Sequence, residues 1–232
     1  MWFGDYKQFT VIDKNVVDNV LRFLSFVRVM ASKYILGIMG SPRKNGNTAI
    51  LLQEIMQALG DGVETETVQL SSLNIQGCRG CEQCRAKGKC IILDDMQELY
   101  PKIERADAII LASPTYFYNV TALMKAFIER LYCYERFHPQ DRSVWSSLNE
   151  INGTKFAVSI AVCEQENEYD MGFASEAMDR SLQALGYRLV DSVKVLKVYK
   201  EGEVQHHPQA LIQAKRAGER LIKMFDLIAR NQ

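Results

Sequence analysis

One loop near the start of the chain combines features that few folds accommodate together. An apolar run from Tyr34 to Met39 leads directly into the small and polar segment Gly40 to Thr48, and helical periodicity follows from Thr48 to Leu59. The first backbone N–H groups of a helix have no partner within it, and the helix dipole favours negative charge at that end. A strand, a short loop and a helix N-terminus in this order therefore predict an anion-binding site.

The side chains of this loop indicate which anion it would bind. Ser41, Asn47 and Thr48 can donate hydrogen bonds, and Gly46 can adopt a positive φ. Gly46 is followed by Asn47 rather than by the lysine with which nucleotide-triphosphate loops reach their β- and γ-phosphates. The Gly-x-Gly-x-x-Gly pattern of dinucleotide sites is also missing. A monophosphate fits this loop best, and a capped turn without a ligand is the alternative.

The sequence beyond this loop alternates short apolar runs with helical periodicity. This pattern is typical of parallel strands joined by right-handed helical connections. A chain of 232 residues with 47% hydrophobic content is long enough to bury one substantial core. We therefore predict one α/β domain built on a doubly wound, five-stranded parallel sheet. The predicted strands are 34–39, 64–70, 108–112, 155–162 and 188–195, and the predicted helices are 48–59, 95–104, 120–134, 171–185 and 208–229.

A second loop, Ser113 to Val120, follows the third predicted strand. In a doubly wound sheet it lies beside the first loop, across the topological switch point. Its residues Tyr116, Phe117 and Tyr118 offer faces for stacking against a planar ring, and nearby N–H groups can bond the polar edge of that ring.

Together the two loops resemble those of the NADPH-dependent FMN reductase and flavodoxin-like superfamily. Its members pair a Gly-Ser-Pro-Arg-x-x-Gly-Asn-Thr phosphate loop with a Pro-x-Tyr-Phe ring loop, as residues 40–48 and 114–117 do here. The resemblance covers residues 33 to about 200 and implies a flavodoxin-like sheet of order 2-1-3-4-5, bound FMN and FMN-dependent oxidoreductase activity. The cofactor-binding residues that it implies are Ser41, Arg43, Gly46, Asn47, Thr48, Ser113, Pro114, Thr115, Tyr116, Phe117 and Tyr118.

Two stretches depart from the pattern of this superfamily. Tyr118 stands where many members carry glycine, and Val162 to Glu168 replaces a glycine-rich loop that follows the fourth strand in many relatives. We interpret Cys163 as a buried small residue and Glu164 as a solvated acid, with contact to the flavin as the alternative for both.

Four of the six cysteines lie close together between the second strand and second helix. Cys78, Cys81, Cys84 and Cys90 form a C-x2-C-x2-C-x5-C pattern, which is metal or redox spacing rather than the framework of a small secreted fold. Thiolates at i, i+3 and i+6 are similar to the run that binds an iron-sulfur cube in bacterial ferredoxins. Zinc and unligated thiols are the alternatives, although zinc more often takes two well-separated pairs.

A compact cysteine motif at this point of a flavodoxin-like fold is similar to that of the iron-sulfur flavoproteins, a branch of the same superfamily. The resemblance implies a [4Fe-4S] cluster bound by Cys78, Cys81, Cys84 and Cys90. It also implies electron transfer between a ferredoxin-like donor, the cluster and FMN, and then to a small-molecule acceptor. The alternatives are an NAD(P)H-dependent FMN or quinone reductase with non-ligating cysteines, and a non-catalytic flavin carrier or sensor. No proton-transfer residue is assigned.

Charge indicates which partners this chain has. Lys plus Arg and Asp plus Glu both number 28, so no overall field draws the chain to nucleic acid or to an anionic membrane. Locally, Arg79, Arg85, Lys87 and Lys89 outnumber Glu82. This excess is interpreted either as ordinary solvated loop charge or as a docking patch for an acidic redox partner such as a ferredoxin.

The remaining expectations concern assembly and domain boundaries. The aromatic segment 131–145 is interpreted either as a lid over a neighbouring flavin in a homodimer or homotetramer, or as surface packing. Residues 1–32 are predicted to form an N-terminal helical extension, and 33–232 to form the FMN-binding domain with a cysteine insertion at 74–95. Because no export signal is recognised, we expect a cytoplasmic protein.

Overall fold

The computed structural model describes residues 33–147, 149–150 and 153–230. The expected N-terminal helical extension, residues 1–32, lies outside the described residues. No helix of the described part has the length and apolar character required to cross a bilayer.

The described chain forms a five-stranded parallel sheet of order β2-β1-β3-β6-β7. This confirms the predicted fold class and strand order, with β6 and β7 as the fourth and fifth predicted strands. The central strands are buried on both faces, which explains their continuous apolar runs. The strands are β1 (Tyr34–Met39), β2 (Glu64–Gln69), β3 (Ala108–Pro114), β4 (Glu135–Phe137), β5 (Trp145–Ser147), β6 (Lys155–Val162) and β7 (Tyr187–Val195).

Helices cover both faces of the sheet. One apolar cluster packs α3, α4 and α5 on one face, and a second packs α1 and α6 on the other. Gly218 allows α6 to approach α1, since a Cβ there would lie 2.6 Å from the Ile55 carbonyl oxygen. The helices are α1 (Asn47–Ala58), α2 (Gln83–Lys87), α3 (Met96–Arg105), α4 (Ala122–Arg130), α5 (Ala174–Ala184) and α6 (Pro208–Arg230).

The segment after the ring loop differs from its prediction. The single helix predicted for 120–134 was wrong in extent, because α4 ends at Arg130 and a 3₁₀ turn, Leu131–Tyr134, follows it. The segment 131–145, expected as a lid or surface loop, leads into an antiparallel hairpin of β4 and β5. Strands of three residues are too short to show alternation in the sequence, so only their pairing reveals them.

Glu135 at the start of this hairpin predicts a pH dependence of stability. One of its carboxylate oxygens is buried without a hydrogen-bond partner, and burial, together with the charge of Glu150, raises the pKa of Glu135 to about 7. The folded state therefore binds this proton more tightly than the unfolded state, and the resulting stability is lost as the pH rises from ~4.5 to ~7.

We expect the free energy of unfolding to fall between pH 5 and pH 8, and to fall less in Glu135→Gln. Urea titrations at both pH values measure the difference. Glu176→Gln, at an exposed site on α5, is the matched control. An equal pH dependence in wild type and Glu135→Gln would contradict the assignment.

Candidate functional site

A cleft of about 380 Å³ opens at the carboxyl ends of β1, β3 and β6. All the expected cofactor-binding residues line it except Ser113 and Tyr118. The lining also includes Val198 and Tyr199, which the sequence pattern did not indicate, and Glu164, whose contact with the ligand was an open alternative. Its volume and its position at the switch point suit one planar ligand with a phosphate tail.

The phosphate loop surrounds the start of α1. Ser41 and Thr48 are buried there, and the Ser41 hydroxyl accepts a hydrogen bond from the Arg43 backbone N–H at 3.2 Å. Gly46 precedes the helix with φ −72°, so the expectation of a positive φ at this position was wrong. Space favours glycine here instead, because a Cβ on Gly46 would lie in tight contact with the Arg43 Cβ, at 3.0 Å. The loop thus presents buried hydroxyls and a helix N-terminus to an anion.

Asn47 connects this loop to the segment that follows β7. Its side-chain amide donates to the Lys200 carbonyl at 2.8 Å and accepts from the Val204 N–H at 3.0 Å. Arg43 reinforces the connection by donating to the Tyr199 carbonyl at 2.9 Å and by lying over the Tyr199 ring. Asn47 therefore acts first as an anchor for the Tyr199 segment, a role that its sequence position does not reveal.

The ring loop is a tight turn with two strained residues. Tyr116 and Asn119 pair across it, and the central residues Phe117 and Tyr118 both have positive φ, at 51° and 63°. A turn of this kind normally carries Asn-Gly, which explains why a glycine at the position of Tyr118 is common in the superfamily. The strain presents the Phe117 side chain, which is 98% exposed, at the mouth of the cleft.

Thr115 provides a test of whether a ligand fits this wall of the cleft. Its backbone N–H donates to the Val162 carbonyl at 2.7 Å, while its side-chain hydroxyl is buried without a hydrogen-bond partner in the described structure. An unpaired hydroxyl on the wall of a cleft is expected where a bound ligand provides the partner. The residues present therefore fit FMN.

Ser113 joins the two loops from behind rather than lining the cleft. Its hydroxyl accepts from the Thr121 N–H at 3.1 Å, and the Thr121 hydroxyl donates to the Gly40 carbonyl at 2.8 Å. The same Thr121 hydroxyl caps α4 by accepting from Met124. The N-terminus of α4 therefore holds the phosphate loop and the ring loop together.

Gly172 supports the ring loop from the opposite side and yields a prediction. It has φ 57°, and a Cβ there would lie 2.3 Å from the Tyr118 carbonyl oxygen. We expect Gly172→Ala to lower the free energy of unfolding by about 3 kcal/mol, because backbone strain and a steric clash add.

Urea denaturation of Gly172→Ala measures the free energy of unfolding, and a separate FMN titration of the folded protein measures the effect on flavin binding. The matched control is Gly60→Ala, because Gly60 also has a positive φ but an added methyl group there would meet only open space. An equal fall in the free energy of unfolding in the two variants would show that the contact between Gly172 and the ring loop does not contribute to stability.

The cysteine loop, residues 76–94, leaves the sheet after β2 and returns at α3. All four of its thiols are free; Cys78 and Cys81 are exposed, and Cys84 and Cys90 are partly buried. Partial burial, together with the charges of the other three thiols, raises the pKa of Cys84. Four thiols on one short segment are a donor set that suits an iron-sulfur cluster or zinc. Within the described ranges, no three His, Cys, Asp or Glu side chains are arranged to hold a metal ion.

The hairpin of β4 and β5 packs against this loop. Glu82 pairs with Arg142 at 2.7 Å and with Arg85 at 3.0 Å, and Arg142 lies over the Phe137 ring. The aromatic segment after α4 therefore contacts the cysteine loop of its own chain, an arrangement that the sequence pattern did not indicate.

The other two cysteines are buried. Cys163, at the end of β6, is part of the apolar core, which agrees with its interpretation as a buried small residue. Cys133 lies in the 3₁₀ turn after α4, where burial raises its pKa to about 11.

Comparison with known proteins identifies a family and several relatives. The model of the NADPH-dependent FMN reductase family matches residues 34–150. The chain is 50% identical to an iron-sulfur flavoprotein of Archaeoglobus fulgidus over 99 residues, a stretch that covers 42% of this chain and 45% of that protein. Over 97 residues it is 40% identical to an iron-sulfur flavoprotein of Methanosarcina thermophila, covering 41% of this chain and 51% of that protein. The chain thus spans about half the length of these relatives.

Solved structures resemble most of the chain. A flavone reductase superposes with a TM-score of 0.62 at 17% identity, covering 86% of this chain and 65% of that one. An NAD(P)H:quinone oxidoreductase from Methanothermobacter marburgensis superposes with a TM-score of 0.61 at 17% identity, covering 82% of this chain and 96% of that one. At these identities the similarity supports the flavodoxin-like fold.

Proposed function

Because the chain belongs to the NADPH-dependent FMN reductase family, we propose that it is an FMN-dependent oxidoreductase of the iron-sulfur flavoprotein type. It would pass electrons between a ferredoxin-like donor, a [4Fe-4S] cluster and FMN. The observation that carries the proposal is the presence, in one domain, of a cleft lined by the phosphate loop and the ring loop and of a segment with four free thiols. The similarity to proteins named iron-sulfur flavoprotein supports it.

The residues of the cleft would bind and orient the flavin. The start of α1, with the buried hydroxyls of Ser41 and Thr48, would hold the phosphate. Hydrogen bonds to a charged group are stronger than hydrogen bonds between two neutral groups. Thr115 would donate to the polar edge of the ring, and Phe117 would shield one part of it from water. Bound FMN exchanges one or two electrons, and a [4Fe-4S] cluster exchanges one, so together they join a one-electron donor to a two-electron acceptor.

The four cysteines of the cysteine loop would be the metal ligands. The backbone between them includes the short helix α2 and three residues with positive φ, Gly80, Glu82 and Gly88. Cys78, Cys81, Cys84 and Cys90 are the proposed ligand set.

Anaerobic purification with iron, sulfide and flavin analysis, followed by EPR of the reduced protein, tests the proposal. About four iron atoms and four sulfides per FMN are expected for one cube. FMN without acid-labile sulfide would overturn the cluster, and tightly bound zinc would replace it with a structural metal site.

Direct reduction by NADPH is a second candidate, favoured by the family match and by the exposed mouth of the cleft beside Phe117. In that case a hydride reaches the flavin without passing the cysteines. Rapid anaerobic bleaching of the flavin by NADPH in a preparation without iron would favour this function over the first. Gel filtration with light scattering tests the proposed homodimer or homotetramer.

The charge around the cysteine loop predicts a salt-dependent encounter with the donor. Arg79, Lys87 and Lys89 lie on the loop, Arg136 of the hairpin lies close to Gly88, and Leu93 of the loop is 88% exposed. Positive charge steers an acidic protein at low ionic strength.

We expect the double variant Lys87→Glu/Lys89→Glu to slow reduction by a ferredoxin by about tenfold at low salt, with the difference shrinking toward ~0.5 M salt. Stopped-flow mixing with reduced ferredoxin measures the rate. Lys215→Glu/Lys223→Glu, on α6, is the control with the same change of net charge. Equal slowing in both double variants would mean that the donor does not dock at the loop.

A further inference from the structure

The two ends of the cysteine loop meet beside α4. The Gln76 N–H donates to an Asp94 carboxylate oxygen at 2.9 Å, and the other Asp94 oxygen accepts from the Met96 N–H at 3.1 Å at the start of α3. Just outside the loop, the Asn74 N–H donates to the Asp95 carboxylate at 2.7 Å. The segment therefore leaves and re-enters the domain at a single point.

Arg130, the last residue of α4, is buried at that point. It is 1% exposed, and its guanidinium makes a two-pronged pair with Asp94, at 2.6 Å to one oxygen and 3.1 Å to the other. The same two nitrogens donate to the Gln76 carbonyl at 3.0 Å and to the Ile92 carbonyl at 3.3 Å. These hydrogen bonds of the Arg130 side chain thus all go to one end or the other of the cysteine loop.

The preceding residue adds a further contact with the loop. Glu129 accepts a hydrogen bond from the Cys78 N–H at 3.3 Å and pairs with Lys125 along the helix. At its other end, α4 is capped by Thr121, whose hydroxyl donates to the phosphate loop and whose N–H donates to Ser113 of the ring loop. Nine helical residues span about 13 Å. One short, straight element therefore connects both loops of the cleft to both ends of the cysteine loop.

We propose that Arg130 and Asp94 are positioning residues that hold the cysteine loop against α4 at a fixed distance from the cleft. A planar guanidinium suits this role because it donates four hydrogen bonds here, two to the carboxylate and two to carbonyls, whereas an ammonium group has only three N–H donors. In so far as the loop's thiols bind a cluster, the inference rests on the proposed function. The pairing of the loop ends does not depend on any metal.

Limited trypsin digestion of the flavin-loaded protein tests the role of this pair, because the loop offers cleavage sites at Arg79, Arg85, Lys87 and Lys89. We expect Arg130→Met to be cut within 78–90 about tenfold faster than wild type, with flavin per chain unchanged, because the freed loop opens locally. Arg130→Lys, which keeps the charge but loses the fork, is expected to fall between the two. Arg180→Met, at an exposed pair on α5, is the matched control and leaves the rate unchanged.

A second readout separates positioning from general stability. In Arg130→Met, the ratio of iron to flavin is expected to fall and the reduced-state EPR spectrum to change, while the flavin content per chain stays the same. Unchanged cleavage of the loop would overturn the inference, as would faster cleavage spread over the whole chain with parallel loss of flavin.

Two further outcomes also decide the matter. If Arg130→Met does not fold, Asp94→Asn replaces it, since it retains the shape of the side chain and removes its charge; unchanged protection of the loop in that variant overturns the inference. If wild type contains no iron, the proposed cluster fails, but the trypsin comparison still decides the role of Arg130 and Asp94.

Discussion

Cys84→Ser is expected to remove most of the iron from the anaerobically purified protein while leaving its FMN in place. Cys84 lies in α2, in the middle of the cysteine loop, where its thiol is partly buried and within electrostatic range of the other three. A hydroxyl is a poorer ligand than a thiolate for the iron of such a cluster, and each of the four irons of a [4Fe-4S] cube takes one cysteine thiolate. Since even the loss of an outer contact weakens metal sites by ~10–100-fold, iron per chain should fall by at least about tenfold.

Iron and sulfide assays together with the visible spectrum measure this effect. Cys163→Ala is the control, because Cys163 is equally a free thiol but lies in the core at the end of β6, outside residues 78–90. Retained iron in Cys84→Ser would exclude this thiol as a ligand. Iron lost equally from Cys163→Ala would indicate a general effect on folding.

Thr48→Val is expected to weaken FMN binding by about 10- to 100-fold, because a hydrogen bond to a charged group contributes ~1.5–3 kcal/mol. Thr48 is buried in the first turn of α1 and lines the cleft, so its hydroxyl is available to a phosphate at the helix N-terminus. Valine retains the shape and β-branching of the side chain and removes only its donor and acceptor.

FMN is titrated into the flavin-free protein, and the quenching of flavin fluorescence on binding gives the Kd. Thr67→Val is the matched control, since Thr67 is exposed on the edge strand β2. A Kd within about twofold of wild type would mean that the phosphate is held by other groups.

The order of the elements and the place of the cleft were predictable from the sequence. The apolar runs at 34–39 and 155–162 coincide with β1 and β6, because strands buried on both faces must be apolar throughout. The phosphate loop was recognisable because its glycines, hydroxyls and helix start are contiguous. For the same reason, the spacing of the four cysteines was sufficient to predict a metal or redox site without any structure.

Contacts between residues far apart in sequence were not predictable. Asn47 looks like a phosphate ligand in its motif, but its side chain holds Lys200 and Val204. Arg130 reads as an ordinary charge at a helix C-terminus, yet it is buried in a pair with Asp94. Nothing local distinguishes these residues, because each role is created by a partner that the fold brings to it.

The sequence by itself therefore determined the strands of the central sheet, the position of the loop that we expect to bind an anion and which thiols lie on one segment, since local periodicity and contiguous motifs encode all of these. Only the tertiary structure decided how those parts are connected. The strained turn at Phe117 and Tyr118 is held by Gly172 and Phe173 from another part of the chain. The cysteine loop is held to α4 in the same way, by Arg130. Burial gives such contacts their strength, and burial is a property of the folded chain rather than of any segment of it.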